Sequence, residues 1–84
     1  MKTPEEFNEK YKDYLGKGHY GLDINSQRVI EYLDDKFQEL IKIPGFMYYQ
    51  IKIKFGKPRV YIDTGEGSNI FHEMEQEIYK ILID

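Results

Sequence analysis

Residues 46–63 read FMYYQIKIKFGKPRVYID, and this stretch decides the fold of the chain. Side chains alternate in character from Phe46 to Phe55, as in a half-buried β-strand. The turn-forming residues Gly56-Lys57-Pro58 follow, and the alternation resumes from Arg59 to Asp63. The stretch therefore predicts an antiparallel β-hairpin with strands at 46–55 and 59–63.

The same alternation divides the predicted hairpin into two faces. The apolar face is predicted to contain Met47, Tyr49, Ile51, Ile53, Phe55, Val60 and Ile62. The opposite face is predicted to contain Phe46, Tyr48, Gln50, Lys52, Lys54, Arg59 and Tyr61. A two-stranded ribbon is not stable alone, so we expect helices to cover the apolar face and to leave the basic and aromatic face open to solvent.

Two helices are predicted before the hairpin. The first begins at the capping residue Thr3, and Gly16 is placed to end it in the left-handed conformation. A glycine-rich loop is predicted over 17–24. The second helix begins after Asn25 or Ser26 and carries a continuous apolar stripe over 29–41.

A third helix is predicted after the hairpin, with Ser68 as its cap and apolar residues at helical spacing over 70–82. The order of elements is therefore α-α-β-β-α. We predict a single α+β domain over 1–84, in which three helices pack on one face of a short antiparallel hairpin.

The charge is unevenly distributed along the chain. The net charge is −3, yet the hairpin region carries four bases and the single acid Asp63. The following stretch, 64–84, carries five acids and the single base Lys80. A basic hairpin on an acidic body is therefore expected.

The composition limits the chemistry and the compartment. The chain has no cysteine, which excludes disulfides and thiolate metal sites and favours the cytoplasm. Its N-terminus has no apolar signal region, and no apolar run approaches the roughly 20 residues that span a bilayer. We therefore predict a cytoplasmic protein without a membrane partner.

Motifs for catalysis or cofactor binding are not recognised in the sequence. The Walker and GxGxxG patterns are absent, and His19 and His72 are too few imidazoles for a metal site. The serines, Ser26 and Ser68, are both in capping positions. We predict no catalytic residue, no cofactor and no metal.

The preferred functional hypothesis is a non-enzymatic module that binds another protein. The predicted contact residues are Tyr48, Gln50, Lys52, Lys54, Arg59 and Tyr61, together with His19 and Tyr20 from the glycine-rich loop. Exposed tyrosines supply contact area, and bases accelerate association with an acidic surface. The equally simple interpretation is that lysines on an exposed strand only maintain solubility.

Two other functions are consistent with the sequence. The basic face, or the glycine-containing segment 65–68 at the start of the third helix, would bind a small anionic ligand such as a nucleotide. The hairpin edge would instead allow self-assembly, for example as a homodimer. Nucleic acid is disfavoured because the isoelectric point of the chain is near 5.4.

About half of the chain resembles small uncharacterised proteins carried by bacteriophages and mobile elements. The residues that carry this resemblance include Leu22-Asp23-Ile24, Tyr32-Leu33-Asp34, Ile43-Pro44-Gly45-Phe46, Gln50-Ile51-Lys52, Lys54-Phe55-Gly56 and Arg59-Val60-Tyr61. The resemblance implies a protein that acts by binding, either by blocking a host protein or by sequestering a nucleotide signal. It implies no role for any single residue.

Overall fold

The fold is that of a computed structural model, which describes residues 3–65 and 69–84. Within these ranges the chain forms three α-helices, one 3₁₀ turn and three β-strands. In order they are α1 (Pro4–Lys10), the 3₁₀ turn (Lys12–Tyr14), β1 (Gly21–Asp23), α2 (Gln27–Leu40), β2 (Met47–Lys54), β3 (Lys57–Asp63) and α3 (Ile70–Ile83).

The strands form a mixed sheet in which β2 is central. β1 pairs with β2 in parallel, with Leu22 opposite Ile51. β3 pairs with β2 antiparallel, with Val60 opposite Ile51. These three residues are buried in one cluster with apolar residues from α1, α2 and α3, so the helices pack on one face of the sheet. The α+β class with three helices is confirmed, whereas a two-stranded antiparallel sheet was the wrong prediction.

The strand β1 lies within the stretch predicted as a loop over 17–24. Leu22 and Ile24 are buried, and the preceding Leu15 forms an isolated parallel bridge with Tyr48. A three-residue strand is too short to show a periodic pattern. Its parallel partner lies 29 positions further along the chain, so no local turn motif predicts the pairing.

The first helix is shorter than predicted. Its cap is confirmed, since the Thr3 hydroxyl accepts a hydrogen bond from the Glu6 N–H, but α1 ends at Lys10. Gly16 does not adopt the left-handed conformation that was expected of it. It is buried beneath the ring of Tyr49, and a Cβ atom added there would lie 2.3 Å from that ring. Close packing therefore explains this glycine.

The second and third helices follow their predicted apolar stripes. The Ser26 hydroxyl caps α2 by accepting the Val29 N–H at 3.4 Å. Five α2 side chains are buried: Val29, Ile30, Leu33, Phe37 and Leu40. In α3, Met74 and Ile78 are buried. The predicted cap Ser68 lies outside the described residues.

A β-bulge in β2 overturns part of the predicted division into faces. The register shifts between Tyr48 and Gln50, so the side chains of Tyr48 and Ile51 point to the same face. Tyr48 is fully buried, and Phe46 is also in the core. The prediction that these two residues lie on the open face is wrong, because strict alternation does not hold through a bulge.

The hairpin turn is shorter than predicted and lies earlier in the chain, so β3 begins two residues before the predicted position. The turn residues are Phe55 and Gly56, while Lys57 and Pro58 already belong to β3. Beyond Ile51 the apolar side of the hairpin leaves the helix layer, so Ile53 is 39% exposed and Phe55 is 89% exposed. The expectation that these two residues are covered is therefore wrong as well.

Aromatic side chains join α1, α2 and β2 in the core. Phe37 of α2 lies near the middle, with ring centroids 4.9 Å from Phe7, 5.1 Å from Tyr11 and 5.1 Å from Tyr48. Each ring pair meets edge-on or nearly so. Such pairs contribute about 0.5–1.5 kcal/mol each beyond the apolar area that they bury.

Asn8 of α1 completes the hydrogen bonding of the β1 edge. Its Nδ2 donates to the Leu22 carbonyl oxygen at 3.0 Å, and the Leu22 N–H donates to its Oδ1 at 2.9 Å. The same Oδ1 accepts the Tyr48 hydroxyl at 3.0 Å. Burial raises the pKa of Tyr48 to about 12, so this phenol remains a neutral donor. Gly21 allows the approach, since a Cβ atom there would lie 2.4 Å from Oδ1.

Glu75 of α3 has the corresponding role at the β3 edge. Its Oε2 accepts the outward N–H of Val60 at 2.9 Å. Pro58, two residues earlier, lies on the same side of the strand and has no N–H to satisfy. Helix side chains therefore occupy backbone groups at both edges of the sheet.

A polar cluster connects the C-terminal end of α1 to α2. The Tyr11 hydroxyl donates to the Asp34 carboxylate and accepts Gln38 Nε2 at 2.7 Å, and Lys10 Nζ lies 2.8 Å from Asp34 Oδ1. Burial raises the pKa of Asp34, but the hydrogen bonds from Lys10 and Tyr11 outweigh it and hold the pKa below its usual range. Asp34 therefore stabilises the fold in its charged form.

Replacing Asn8 tests its threefold role. Asn8→Ala removes the partners of the Leu22 N–H, the Leu22 carbonyl and the Tyr48 hydroxyl, so we expect a loss of about 2–4 kcal/mol in the free energy of unfolding. Urea unfolding followed by circular dichroism measures this change. The control Asn25→Ala alters an exposed residue of the following loop and should stay within about 0.5 kcal/mol of the wild type. A similarly small effect of Asn8→Ala would contradict the assignment.

The lowered pKa of Asp34 predicts how stability depends on pH. A carboxyl group with a depressed folded-state pKa contributes stability above its unfolded-state pKa, about 3.9, and loses it as the pH falls. Asp34→Asn should therefore cost about 1–2 kcal/mol near neutral pH, and this difference should shrink toward pH ~3. Urea unfolding across this range measures it, with Asp35→Asn as the control. A difference that stays constant with pH would refute this role for Asp34.

Candidate docking face

The face of the sheet opposite the helices is open to solvent along its hairpin half. Residues that pair directly across strands share a face, which groups Gln50 with Tyr61, Lys52 with Arg59 and Lys54 with Lys57. The bulged residue Tyr49 lies on this side too, against the loop at Gly16. We call these seven residues the open sheet face: Tyr49, Gln50, Lys52, Lys54, Lys57, Arg59 and Tyr61.

Among the residues that the structure describes, no ion pair neutralises the bases of the open sheet face. Lys52, Lys54, Lys57 and Arg59 form no salt bridge with any residue in the ranges 3–65 and 69–84. Asp23 of β1 pairs across from Lys52, so one acid lies at the end of the row that Lys52 and Arg59 form. The face is therefore predominantly positive, with a negative margin along β1.

The helical side of the domain is acidic. Burial raises the pKa of Tyr32 on α2, and the carboxylates of Glu77 and Glu73 on α3 raise it further. Exposed acids continue along α2 at Glu31, Asp35 and Glu39. The domain is thus electrostatically two-sided, with a basic sheet face and acidic helices.

A shallow groove of about 350 Å³ opens at the Tyr61 end of the open sheet face. Its lining residues are His19, Tyr49, Gln50 and Tyr61. The His19 and Tyr49 rings meet nearly edge-on, with centroids 5.0 Å apart. Gly16 supports the Tyr49 ring from below. The structure therefore brings His19 together with Gln50 and Tyr61, as the predicted contact set requires.

Tyr20 and Tyr48 do not join this group. Tyr20 is 79% exposed but lines a separate depression beside the start of α1 and β1. Tyr48 is buried, because the bulge turns it into the core. Of the eight predicted contact residues, six therefore lie on or beside the open sheet face: His19, Gln50, Lys52, Lys54, Arg59 and Tyr61.

A second groove runs between β3 and α3 and has a volume of about 380 Å³. Basic side chains line both walls, with Lys57 and Arg59 on the strand and His72 and Lys80 on the helix. The carboxylate of Glu75 also lines it, with Oε2 bonded to the Val60 N–H and Oε1 3.6 Å from His72 Nδ1. Pro58, Gln76 and the half-exposed Tyr79 complete the walls.

Three further features considered from the sequence are metal-ligand groups, the segment 65–68 and membrane spans. No group of three or more His, Asp or Glu side chains in the described residues is arranged to hold a metal ion. The segment 65–68, considered for anion binding, lies outside the described residues apart from Gly65. None of the helices in the described ranges has the length and apolar character that crossing a bilayer requires.

Two residues of the open sheet face, Tyr49 and Lys57, were not predicted by the sequence pattern. Strict alternation predicts Tyr49 on the apolar face, but a bulge that no glycine marks interrupts the alternation. The neighbours Gly56 and Pro58 predict a turn at Lys57, whereas Lys57 belongs to β3. The proline does carry a usable signal, since proline in a strand favours an edge position.

The chain was compared with protein-family models, curated proteins and solved structures, and no match was found.

Proposed function

We propose that this domain is a non-enzymatic binding module whose open sheet face docks on an acidic region of another protein. The observation that carries the proposal is a group of four bases on the open sheet face that have no ion-pair partner in the described ranges: Lys52, Lys54, Lys57 and Arg59. Bases that are not paired within the molecule keep their charge available to a partner.

The two-sided charge distribution favours an oriented encounter. A positive face on a domain of net charge −3 attracts an acidic surface to one side only, while the helices are repelled. Such steering raises the association rate more than the final affinity, and salt screens it over about 10 Å at 0.1 M. The same acids on the helices disfavour nucleic acid, whose phosphates would repel them.

The tyrosines of the face suit a protein partner. Tyr61 is 47% exposed, and Tyr49 is held against His19 and above Gly16. A tyrosine fixed before binding loses little side-chain freedom when a partner covers it. Tyrosine and arginine are also the residue types that are enriched at interface cores.

The covered sheet edges disfavour self-assembly by strand addition. Asn8 occupies the backbone groups of Leu22 on β1, and Glu75 occupies the Val60 N–H on β3. A second copy of the chain would have to displace these side chains before it could extend the sheet. Docking through the open sheet face is therefore better supported than the addition of a strand at a sheet edge.

Charge reversal on the open sheet face tests the proposal. The triple variant Lys52→Glu, Lys54→Glu, Arg59→Glu should slow association with the partner by at least about tenfold, because attraction becomes repulsion. The measurement is affinity capture from an extract of the source cells, followed by surface plasmon resonance on the captured protein. Raising the salt from about 0.05 M to about 0.3 M should weaken the wild type more than the variant.

A matched control separates the face from the net charge. Lys12→Glu, Lys36→Glu, Lys42→Glu makes the same change in net charge at residues outside the open sheet face and should retain the association rate within about twofold. Equal slowing in both triple variants, or none in either, would rule out docking through this face.

The groove between β3 and α3 supports a second candidate function, the binding of a small anionic ligand such as a nucleotide. Lys57, Arg59 and Lys80 converge on it, and the ring of Tyr79 offers a surface on which a base would stack. The one carboxylate in the groove, Glu75, is engaged by the Val60 N–H.

Thermal unfolding with ATP as the probe tests this second candidate. A ligand that binds only the native state at about 100 times its Kd raises the free energy of unfolding by about 2.7 kcal/mol, so the Tm should rise with ATP concentration. Lys57→Ala, Lys80→Ala should abolish the rise, whereas Lys12→Ala, Lys36→Ala should not. A Tm that does not respond to ATP or to inorganic phosphate would exclude the groove as such a site.

A further inference from the structure

The tip of the β2–β3 hairpin presents a phenylalanine to solvent. Phe55 is 89% exposed, the highest value among the large apolar side chains of the described residues. Its one aromatic or cation contact in those residues is with Lys54, whose Nζ lies 5.7 Å from the ring centroid. The ring therefore adds almost nothing to the core.

The backbone at Phe55 is also unfavourable for a bulky residue. Phe55 has φ = 53° and Gly56 has φ = 76°, so both central turn residues are in the left-handed region, as in a type I′ turn. Asn or Gly is strongly preferred there, because a larger side chain is crowded against the backbone. Phenylalanine at this position thus strains the turn backbone and exposes an apolar ring to water. Both effects lower the stability of the fold, so stability does not explain this residue.

Bases that form no ion pair with the described part of the chain surround the exposed ring. Lys54 and Lys57 flank the turn as directly paired residues, and Lys52 and Arg59 form the next pair on the same face. The partly exposed Ile53 adds a little apolar surface beside the tip. The hairpin therefore ends in one large apolar group within a positive ring.

We propose that Phe55 is the anchor of the docking face and inserts into an apolar pocket of the partner that is rimmed by carboxylates. This inference rests on the proposed function and names the residue that contributes most to the binding free energy. Interfaces commonly depend on one aromatic side chain in a desolvated pocket, surrounded by polar contacts that exclude water. Here Phe55 supplies the aromatic group, and the four bases supply the surrounding contacts.

The charge pattern favours a protein pocket over an anionic membrane. Asp23 pairs across from Lys52, and Asp63 lies at the far end of β3, so the sheet carries acids behind the basic tip. A uniformly negative lipid surface would repel both acids, whereas a protein surface can present both signs of charge. A single fully exposed phenylalanine is also a small apolar area for membrane anchoring.

Site-specific photo-crosslinking tests the anchor directly. The crosslinking residue p-benzoylphenylalanine replaces Phe55 in one variant, Tyr61 in a second and Tyr20 in a third, and each is irradiated in an extract of the source cells. Tyr20 is the matched control, because it is an equally prominent aromatic side chain at 79% exposure away from the hairpin tip. We expect a crosslinked protein from position 55 and none from position 20.

Mass spectrometry of the crosslinked peptide identifies the pocket. The anchor is supported if the crosslinked site contains apolar residues among Asp and Glu. Salt and the triple variant Lys52→Glu, Lys54→Glu, Arg59→Glu should also suppress its labelling. Crosslinking from position 61 but not from 55 would overturn the anchor and leave the docking face in place. Crosslinking from neither position would overturn both the anchor and the docking face. Crosslinking of position 55 to lipid would identify a membrane as the partner instead.

Phe55→Asn gives an independent measurement that does not suffer from misfolding. Asparagine suits the left-handed turn position, so the Tm should rise by roughly 4 °C while the affinity for the captured partner falls at least about 30-fold. Opposite changes in stability and binding distinguish an anchor from a structural residue. Unchanged affinity, or a lowered Tm, would refute the proposal.

Discussion

The burial of the Tyr48 hydroxyl is the constraint on which the rest of the fold depends. A phenol in the core needs a hydrogen-bond partner, and Asn8 supplies it from α1. The same amide binds the backbone of Leu22, which fixes α1 against the outer side of β1. The bulge that turns Tyr48 inward therefore lets one side chain of α1 join β1 and β2.

The two covered edges explain why the open face, rather than a strand edge, is available for binding. Short sheets are prone to add further strands, because their outer backbone groups are unpaired. Here Asn8 acts on one side and Glu75 acts on the other, each from a helix that also fills the core. The helices thus do two things at once. They bury the apolar face and protect the edges, and the basic face remains the accessible surface of the sheet.

The open sheet face has a packed aromatic ring, Tyr49, at one end and the strained hairpin turn at the other. At one end Gly16 allows the Tyr49 ring to approach the loop closely, and the His19 ring meets it nearly edge-on. At the other end Phe55 lies in the left-handed turn and is mostly exposed to solvent. A firm platform next to a projecting aromatic group reduces the entropy that a partner must overcome, which is a common basis of specific recognition. The bases between the two ends add orientation and speed.

The sequence by itself determined the elements whose signals are local. The apolar stripes of α2 and α3, the caps at Thr3 and Ser26 and the basic character of the hairpin all arise from residues within a few positions of one another. Only the tertiary structure decided the strand β1, the burial of Tyr48 and the closing of the edges. These features depend on contacts between residues 14 to 40 positions apart in the chain, such as Asn8 with Leu22 and Asn8 with Tyr48. Periodicity carries no information about such pairs, because it reports which side of an element is apolar and not what that side meets.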